Sequence, residues 1–407
     1  MILVEKHIIK HNDQRYKVID EAAYKSKNLY NATLYAIRQH FFEHNEYLPY
    51  ARLQNIFQND KQVDYYQLPT KVAQWTMKMV DQNFRSFFNA LKAFKANPSK
   101  FKGKPRLPKY LDKNNGRFLL IYTSQAISKR ELEKNGLLKC SGLDITVKTS
   151  LTFQNIQQVR IIKKLDFYTI EILYKVDDVP LLKDNGCYAA IDLGVNNFAT
   201  ITTNIKGDTP FVISGKEAKA YNHYYNKEVA KHKSILSTRN KKKSSKHLRS
   251  ITHKHNNKLT DFMHKSSRYI VNQLVSKGIT TLVIGKNTNW KQDTNIGKIN
   301  NQNFVQLPHS RFIEMLQYKC ALYGITVMLV NENHTSKCSF LDMENIGHHD
   351  VYVGKRVKRG LFRSSDGLYI NADVNGSYNI LRKCKPKAFA DGVMGVVVHP
   401  VIIKITN

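Results

Sequence analysis

Two aspartates stand where an apolar strand gives way to another element. In CYAAIDLGVNNFATITTN the run 188–191 ends in Asp192, followed by Gly194 and a second strand from Phe198, so the carboxylate emerges at a sheet rim. In LYINADVNGSYNILRK, Asp373 precedes a short helix carrying Asn375, Asn379 and Leu381. Either acid alone is also what a turn or a helix cap wants. Two such carboxylates plus a glutamate, however, make the set needed to hold two divalent ions about 3.5 to 4 Å apart, activate a water and stabilise the leaving oxygen of a phosphodiester. Oxygen donors of this kind suit a hard cation such as Mg²⁺.

The rest of the composition fits a polyanionic substrate. The chain has 407 residues with 64 Lys or Arg against 32 Asp or Glu, a net charge of +32. A surplus of that size repels itself until something anionic neutralises it, and phosphate contacts release counterions that favour binding. The charge is spread along the whole chain, which suits nucleic acid better than a membrane surface. No run approaches the ~20 apolar residues of a membrane span, and MILVEKHIIK is broken by charge too early for a signal peptide. Cys140, Cys187, Cys320, Cys338 and Cys384 are five in number without close pairs, which argues against a disulfide framework. The expectation is a bacterial cytoplasmic, nucleoid-associated protein of two or three domains.

Positioning the acids requires scaffolding, and the hydrophobic pattern supplies it. Residues 2–9 read as a short strand, and from Val18 the spacing turns helical. A second helix is predicted after Thr70, taken as its N-cap, with Ala73, Met77, Val80, Phe84, Phe87, Phe88, Leu91 and Phe94 as an apolar stripe built for packing. Residues 98–113, PSKFKGKPRLPKYLDK, hold three prolines and predict an extended basic connector with Lys102, Lys104, Arg106 and Lys109 as nucleic-acid contacts. Antiparallel strands of a small barrel or sandwich should follow up to about Val179, with a domain boundary at 180–186. Beyond it strands alternate with helices, implying a mixed α/β sheet. A long helical stretch there carries Arg239, Lys241, Lys242, Lys243 and Lys246, suited to a phosphate backbone, although a solvated face has the same composition.

The segments YAAIDLGVNNFAT, ISGKEAKAYNHYYNK, RYIVNQLV with TTLVIGKN, HTSKCS and NADVNGSYNI, with FFNALKAFKANPSKFKGKPRLPKY upstream, resemble the TnpB (OrfB) family of insertion-sequence proteins, relatives of the type V CRISPR effector nucleases. The resemblance implies an α/β RNase H-like (RuvC) nuclease domain over 183–330 and 371–385. It also implies an N-terminal wedge β-barrel over 1–15 and 99–182, interrupted by a helical recognition lobe at 16–98. Asp192 matches the first catalytic acid and Asp373 the third. The implied partners are a guide RNA from the element's end and double-stranded DNA beside a short flanking motif, with no membrane.

Two departures matter. The family's second acid, a glutamate, ends the strand written here TLVIGKN, where this chain has Gly285 and Lys286. The next strand ends in LVNENHTSK and offers Glu332. Adjacent strands lie ~4.8 Å apart, roughly what a long side chain can span, so Glu332 is the expected replacement. The alternative is a surface glutamate and a nuclease that has lost its chemistry. The family's zinc ribbon is also reduced: over 331–370 only Cys338 remains, Leu341 stands where its partner belongs, and FRSSDG replaces the second pair. No zinc is expected, with Phe340, Leu341, Leu361 and Phe362 as an apolar substitute core. Residues 386–407 read as a tail without a role. The expected activity is RNA-guided DNA cleavage with two Mg²⁺ on Asp192, Glu332 and Asp373; the alternatives are an RNA-guided repressor without cleavage and a protein-only transposase.

Overall fold

The computed structural model describes residues 1–240, 244–286 and 306–405, excluding the side chains of residues 239 and 240. Their contacts divide into two compact units, Met1–Asp177 and Asp178–Asn407.

The first unit begins with β1 (Ile2–Lys10) and continues through α1 (Arg15–His44), α2 (Tyr50–Asn59), α3 (Val63–Tyr66) and α4 (Thr70–Ala96). Then come β2 (Leu120–Thr123), α5 (Lys129–Asn135), β3 (Leu137–Lys139), β4 (Thr146–Lys148), β5 (Ile156–Lys163) and β6 (Phe167–Lys175). The ladder runs β1-β6-β5-β2, all antiparallel, with β3 and β4 as a separate hairpin. Because β1 pairs with β6, the sheet is assembled across the inserted helices. The two parts share one core, in which Ile19, Leu29, Ala73, Met77, Val80 and Phe84 from α1 and α4 meet Leu120, Val159, Ile161, Tyr168 and Ile172 from the strands. Thr70 is the first residue of α4 and not its cap; the preceding Pro69 is extended and gives no side-chain cap.

The connector after α4 is irregular, as its prolines require, and it is tied down. Asn31 on α1 exchanges two hydrogen bonds with Leu111, through its amide to the carbonyl (3.0 Å) and from the Leu111 N–H to its oxygen (2.9 Å). The Arg38 guanidinium donates to the Pro108 carbonyl. Toward the N-terminal end of α1, Asp20 accepts hydrogen bonds from Arg117, Tyr168 and Lys163. Burial pushes its pKa up, but these three donors outweigh that and hold it down to about 2.

The second unit is built on a six-stranded sheet. β7 (Tyr188–Leu193), β8 (Asn197–Thr203) and β9 (Phe211–Ser214) form an antiparallel meander. A helical hairpin, α6 (Lys216–Asn240) and α7 (Lys246–Ser276), then leads to β10 (Thr281–Gly285), which lies parallel to β7. α8 (His309–Ala321) leads to β11 (Thr326–Val330), parallel to β10. An antiparallel meander extended by two parallel strands on the side of its first strand is the RNase H-like arrangement of a RuvC domain. β7, β8 and β10 are buried along nearly their whole lengths, which explains their unbroken apolar runs.

The segment 331–370 carries no helix; β12 (Lys355–Lys358), β13 (Leu361–Arg363) and β14 (Tyr369–Asn371) form a small antiparallel sheet that leads into α9 (Ala372–Cys384). Phe340 and Phe362 are buried with Ile370, Tyr378 and Phe389, and Leu341 packs against them; Leu361 is only half-buried and outside this cluster. The C-terminal segment supplies β15 (Val401–Ile403), which joins the main sheet parallel to β9. Among the described residues no helix is long and apolar enough to cross a membrane.

Candidate active site

The sheet delivers Asp192 at the C-terminal end of β7. Ala189, Ala190 and Ile191 before it are fully buried, so the strand is fixed on both faces and its first polar side chain emerges at the rim. Ile284 of β10 pairs with Ile191, and the next residue, Gly285, therefore ends its strand beside Asp192. Gly285 in turn pairs with Val330 of β11. Two residues past that partner is Glu332, and its side chain reaches back across β10. A Cβ placed on Gly285 would lie 2.8 Å from Glu332 Oε2 and 2.6 Å from Ile380 Cδ1. The carboxylate of Glu332 thus occupies the space that a side chain at position 285 would need.

Asp373 arrives on α9. Asn371 caps that helix by accepting from the backbone N–H groups of Asp373 (3.0 Å) and Val374 (3.2 Å), and an acid in the first turn suits the helix dipole. One turn further, Gly376 lies against the first acid: a Cβ there would be 2.9 Å from Asp192 Oδ2. α9 is locked to the sheet by Ser377, whose hydroxyl meets Thr202 Oγ1 (2.9 Å) and donates toward the carbonyls of Ala190 and Thr200. Asn375 and Asn379 on the same helix hold the turn that follows Glu332: Asn375 accepts from the Phe340 N–H and donates to the Cys338 carbonyl, and Asn379 donates to Thr335 and Cys338 carbonyls. Helix and turn, and hence Asp373 and Glu332, are positioned by the same two asparagines.

The electrostatics follow from this convergence. The Asp192 carboxyl is pushed well above its usual range, first by burial, then by the charges of Glu332 and Asp373, with Arg356 opposing. Burial raises Glu332 to about 7. Arg356 of β12 places Nη2 3.9 Å from Asp373 Oδ1, and the Asn197 amide donates to Asp373 Oδ2 at 2.5 Å. The donors are oxygens, and a buried carboxylate whose ionisation is opposed by two neighbouring acids is what a divalent cation relieves. As the side chains stand, no three Asp, Glu, His or Cys among the described residues are placed to hold a metal ion.

Arg356, Asn197 and Gly376 carried no role in the sequence analysis. Asn197 lies within the quoted segment after Asp192, but its contact with Asp373 crosses 176 positions. Arg356 sits in a run of exposed basic residues without local pattern.

Of the predicted nucleic-acid residues, Lys102, Lys104, Arg106 and Lys109 are exposed on the connector, and Lys246 is exposed at the start of α7. Arg239 lies on α6, with its side chain outside the described set, and Lys241, Lys242 and Lys243 lie outside the described residues. Cys338 is buried, its Sγ 3.6 Å from the Gly347 carbonyl.

Comparison with known proteins adds five findings. A family model described as a probable transposase, OrfB_IS605, matches residues 171–291, and the Cas12f1-like TNB domain matches residues 309–380. A TnpB-like protein, ORF457 of Acidianus two-tailed virus, is 27% identical over 223 residues, covering 52% of this chain and 43% of the relative. The match thus spans less than half of that relative's length. Among solved structures, a Cas12f1–sgRNA–target DNA complex aligns with TM-score 0.36 and 15% identity, covering 93% of this chain and 98% of that one. The mini-RNA-guided endonuclease Cas_phi3 aligns with TM-score 0.46 and 10% identity, covering 98% and 93%. Asp192 and Gly285 fall inside the stretch similar to the OrfB_IS605 model, and Glu332 and Asp373 inside the stretch similar to the Cas12f1-like TNB domain.

Proposed function

We propose that the chain is an RNA-guided DNA endonuclease of a mobile element, with Asp192, Glu332 and Asp373 as its catalytic acids. The observation that carries this is the seating of Glu332 over Gly285, beside the strand end that bears Asp192. A loop glutamate without a role has no reason to be half-buried against another acid, where its ionisation is suppressed.

The three carboxylates would hold two Mg²⁺, which supply an activated water and a stabilised leaving oxygen for phosphodiester hydrolysis when bound. The protein's own contribution is orientation. Asn197 fixes one Asp373 oxygen, Gly376 lets α9 approach the Asp192 carboxylate, and Asn375 and Asn379 hold the turn behind Glu332. The Arg356 guanidinium, beside Asp373, is placed to pair with a phosphate oxygen.

In the same reading the wedge barrel (1–15 and 99–182) and the recognition lobe (16–98) fall in the unit Met1–Asp177, apart from residues 178–182 of the second unit, a reading supported by the pairing of β1 with β6 across the inserted helices. The partners are a guide RNA from the element's end and double-stranded DNA carrying a short flanking motif. Base pairing would set most of the specificity, while basic surfaces hold the heteroduplex by shape and charge.

The test is cleavage of matched DNA by protein purified with its RNA, with and without Mg²⁺. Wild type should cut, and Glu332→Ala and Asp373→Ala should bind the same DNA without cutting. A wild type that occupies matched DNA and never cuts is a guided repressor. DNA activity that survives ribonuclease treatment belongs to a protein-only transposase.

A further inference from the structure

Away from the acids, the helical hairpin of the second unit encloses a cavity of about 460 Å³. From α6, Tyr221, Tyr224 and Tyr225 line it at i, i+3 and i+4, one helical face; from α7, Lys254, His255 and Lys258 line it at i, i+1 and i+4. Its walls are partly preformed. The Tyr225 and His255 rings stack at 4.1 Å with 19° between planes, and His255 Nε2 is fixed 2.7 Å from the oxygen of the buried Asn222. Lys258 Nζ sits 4.8 Å over the Tyr221 ring. Tyr224, by contrast, is 65% exposed at the mouth, a large aromatic that the hairpin does not use for its own packing.

An aromatic face left to solvent beside two lysines is an unusual expense for a helix that needs only polar residues outside. The volume lies in the range of small-ligand sites, roughly 300–1,000 Å³. A purely apolar guest would strand the ammonium groups, and a purely anionic one would ignore the rings. A nucleotide satisfies both: its base presents a π-face to tyrosine, and its phosphate meets lysine. The one acid in the lining, Glu228, stands 3.6 Å from His232.

We propose that the α6–α7 cavity captures an unpaired nucleobase of a single strand, stacked on Tyr224 with the flanking phosphate on Lys254 and Lys258. The inference rests on the reading that the protein holds nucleic acid, but not on cleavage. RNA and DNA single strands share this chemistry, and the test separates them.

The full chain, freed of copurified RNA by nuclease and high salt, is titrated without metal against labelled rU and dT oligomers, an abasic strand and a duplex of equal length. Tyr224→Ala should weaken whichever base-bearing strand is the ligand by about tenfold or more, with abasic and duplex affinities unchanged, and Tyr224→Trp should restore it. As a readout independent of those variants, 2-aminopurine in the preferred strand should be quenched on binding wild type. The proposal fails if Tyr224→Ala binds both base-bearing strands like wild type, if abasic and duplex binding fall by the same factor, or if the probe is not quenched. Cleavage by the same preparation, scored separately, can succeed or fail whatever these titrations give.

Discussion

At position 285 a missing side chain and a borrowed one are the same fact. Ile380 and Glu332 already fill the volume above Gly285, so any Cβ there must displace a core methyl group or the carboxylate itself. Gly285→Ala is therefore expected to cost about 1–3 kcal/mol through overpacking and to cut cleavage more than tenfold, measured by thermal melting and single-turnover kinetics. Wild-type rates in that variant would mean that Glu332 does not work from this seat. The ionisation of the site makes a second prediction. Glu332 has its carboxyl raised from 4.5 to about 7, so between those values the folded chain binds more protons than the unfolded one. The contribution of this site to metal-free stability should then be highest below pH 4.5 and fall as pH rises through 7, with Glu332 accounting for at most about 3 kcal/mol and Asp192 acting in the same direction, whereas Asp20, held down to about 2, adds stability that is lost at low pH. Glu332→Gln should flatten that slope. Mg²⁺ competes with protons for the same oxygens, so its stabilisation in melting experiments should be larger at pH 8 than at pH 6. Equal gains at both pH values would remove these acids from metal binding.

Among the elements, α9 carries the tightest requirement. In an ordinary helix interior Gly→Ala stabilises by about 1 kcal/mol, yet Gly376 faces Asp192 Oδ2 at a separation that real Cβ atoms essentially never show. Gly376→Ala should leave the melting temperature level or higher, because the helix gains propensity, while cleavage drops by about tenfold as the Asp192 carboxylate is pushed aside. Unchanged cleavage would show that Asp192 has freedom the packing denies it. The helix also marks what the sequence could and could not disclose. Asp192 and Asp373 were legible because each sits at an element boundary inside a patterned segment, and Glu332 because the strand that normally ends in an acid ends in glycine. Gly376, Asn197 and Arg356 were not, since their contacts join residues far apart in sequence that only the folded sheet brings together. Strand β15 escaped for a local reason: three residues, Val401–Ile403, pair parallel with β9 and leave Ile402 exposed, so no alternation betrays an edge strand. Thr70 was misplaced by one residue because a threonine before an apolar stripe reads as a cap, whereas the preceding proline already holds the extended backbone that a cap position requires.

For the whole molecule, the dominant quantity is the net charge of +32. A chain with two basic residues for every acidic one remains compact against its own repulsion more easily when polyphosphate neutralises it, so affinity for nucleic acid should be governed by counterion release. If the chain covers about 6–10 phosphates, its affinity should fall by about 10³–10⁵ between 50 and 200 mM salt. The connector gives this a specific address. Lys102, Lys104, Arg106 and Lys109 are exposed, while the same segment is anchored to α1 through Asn31 and Arg38, which presents the charges from a fixed backbone. Replacing all four by alanine removes no buried contact, so the fold should survive. If each of the four meets a phosphate, the slope of log affinity against log salt should shrink by about one per residue. Fluorescence anisotropy over a salt series measures that slope directly. An unchanged slope in a folded variant would take the connector off the nucleic-acid path and leave the hairpin α6–α7, with Lys246 and its neighbours, as the surface that carries the charge.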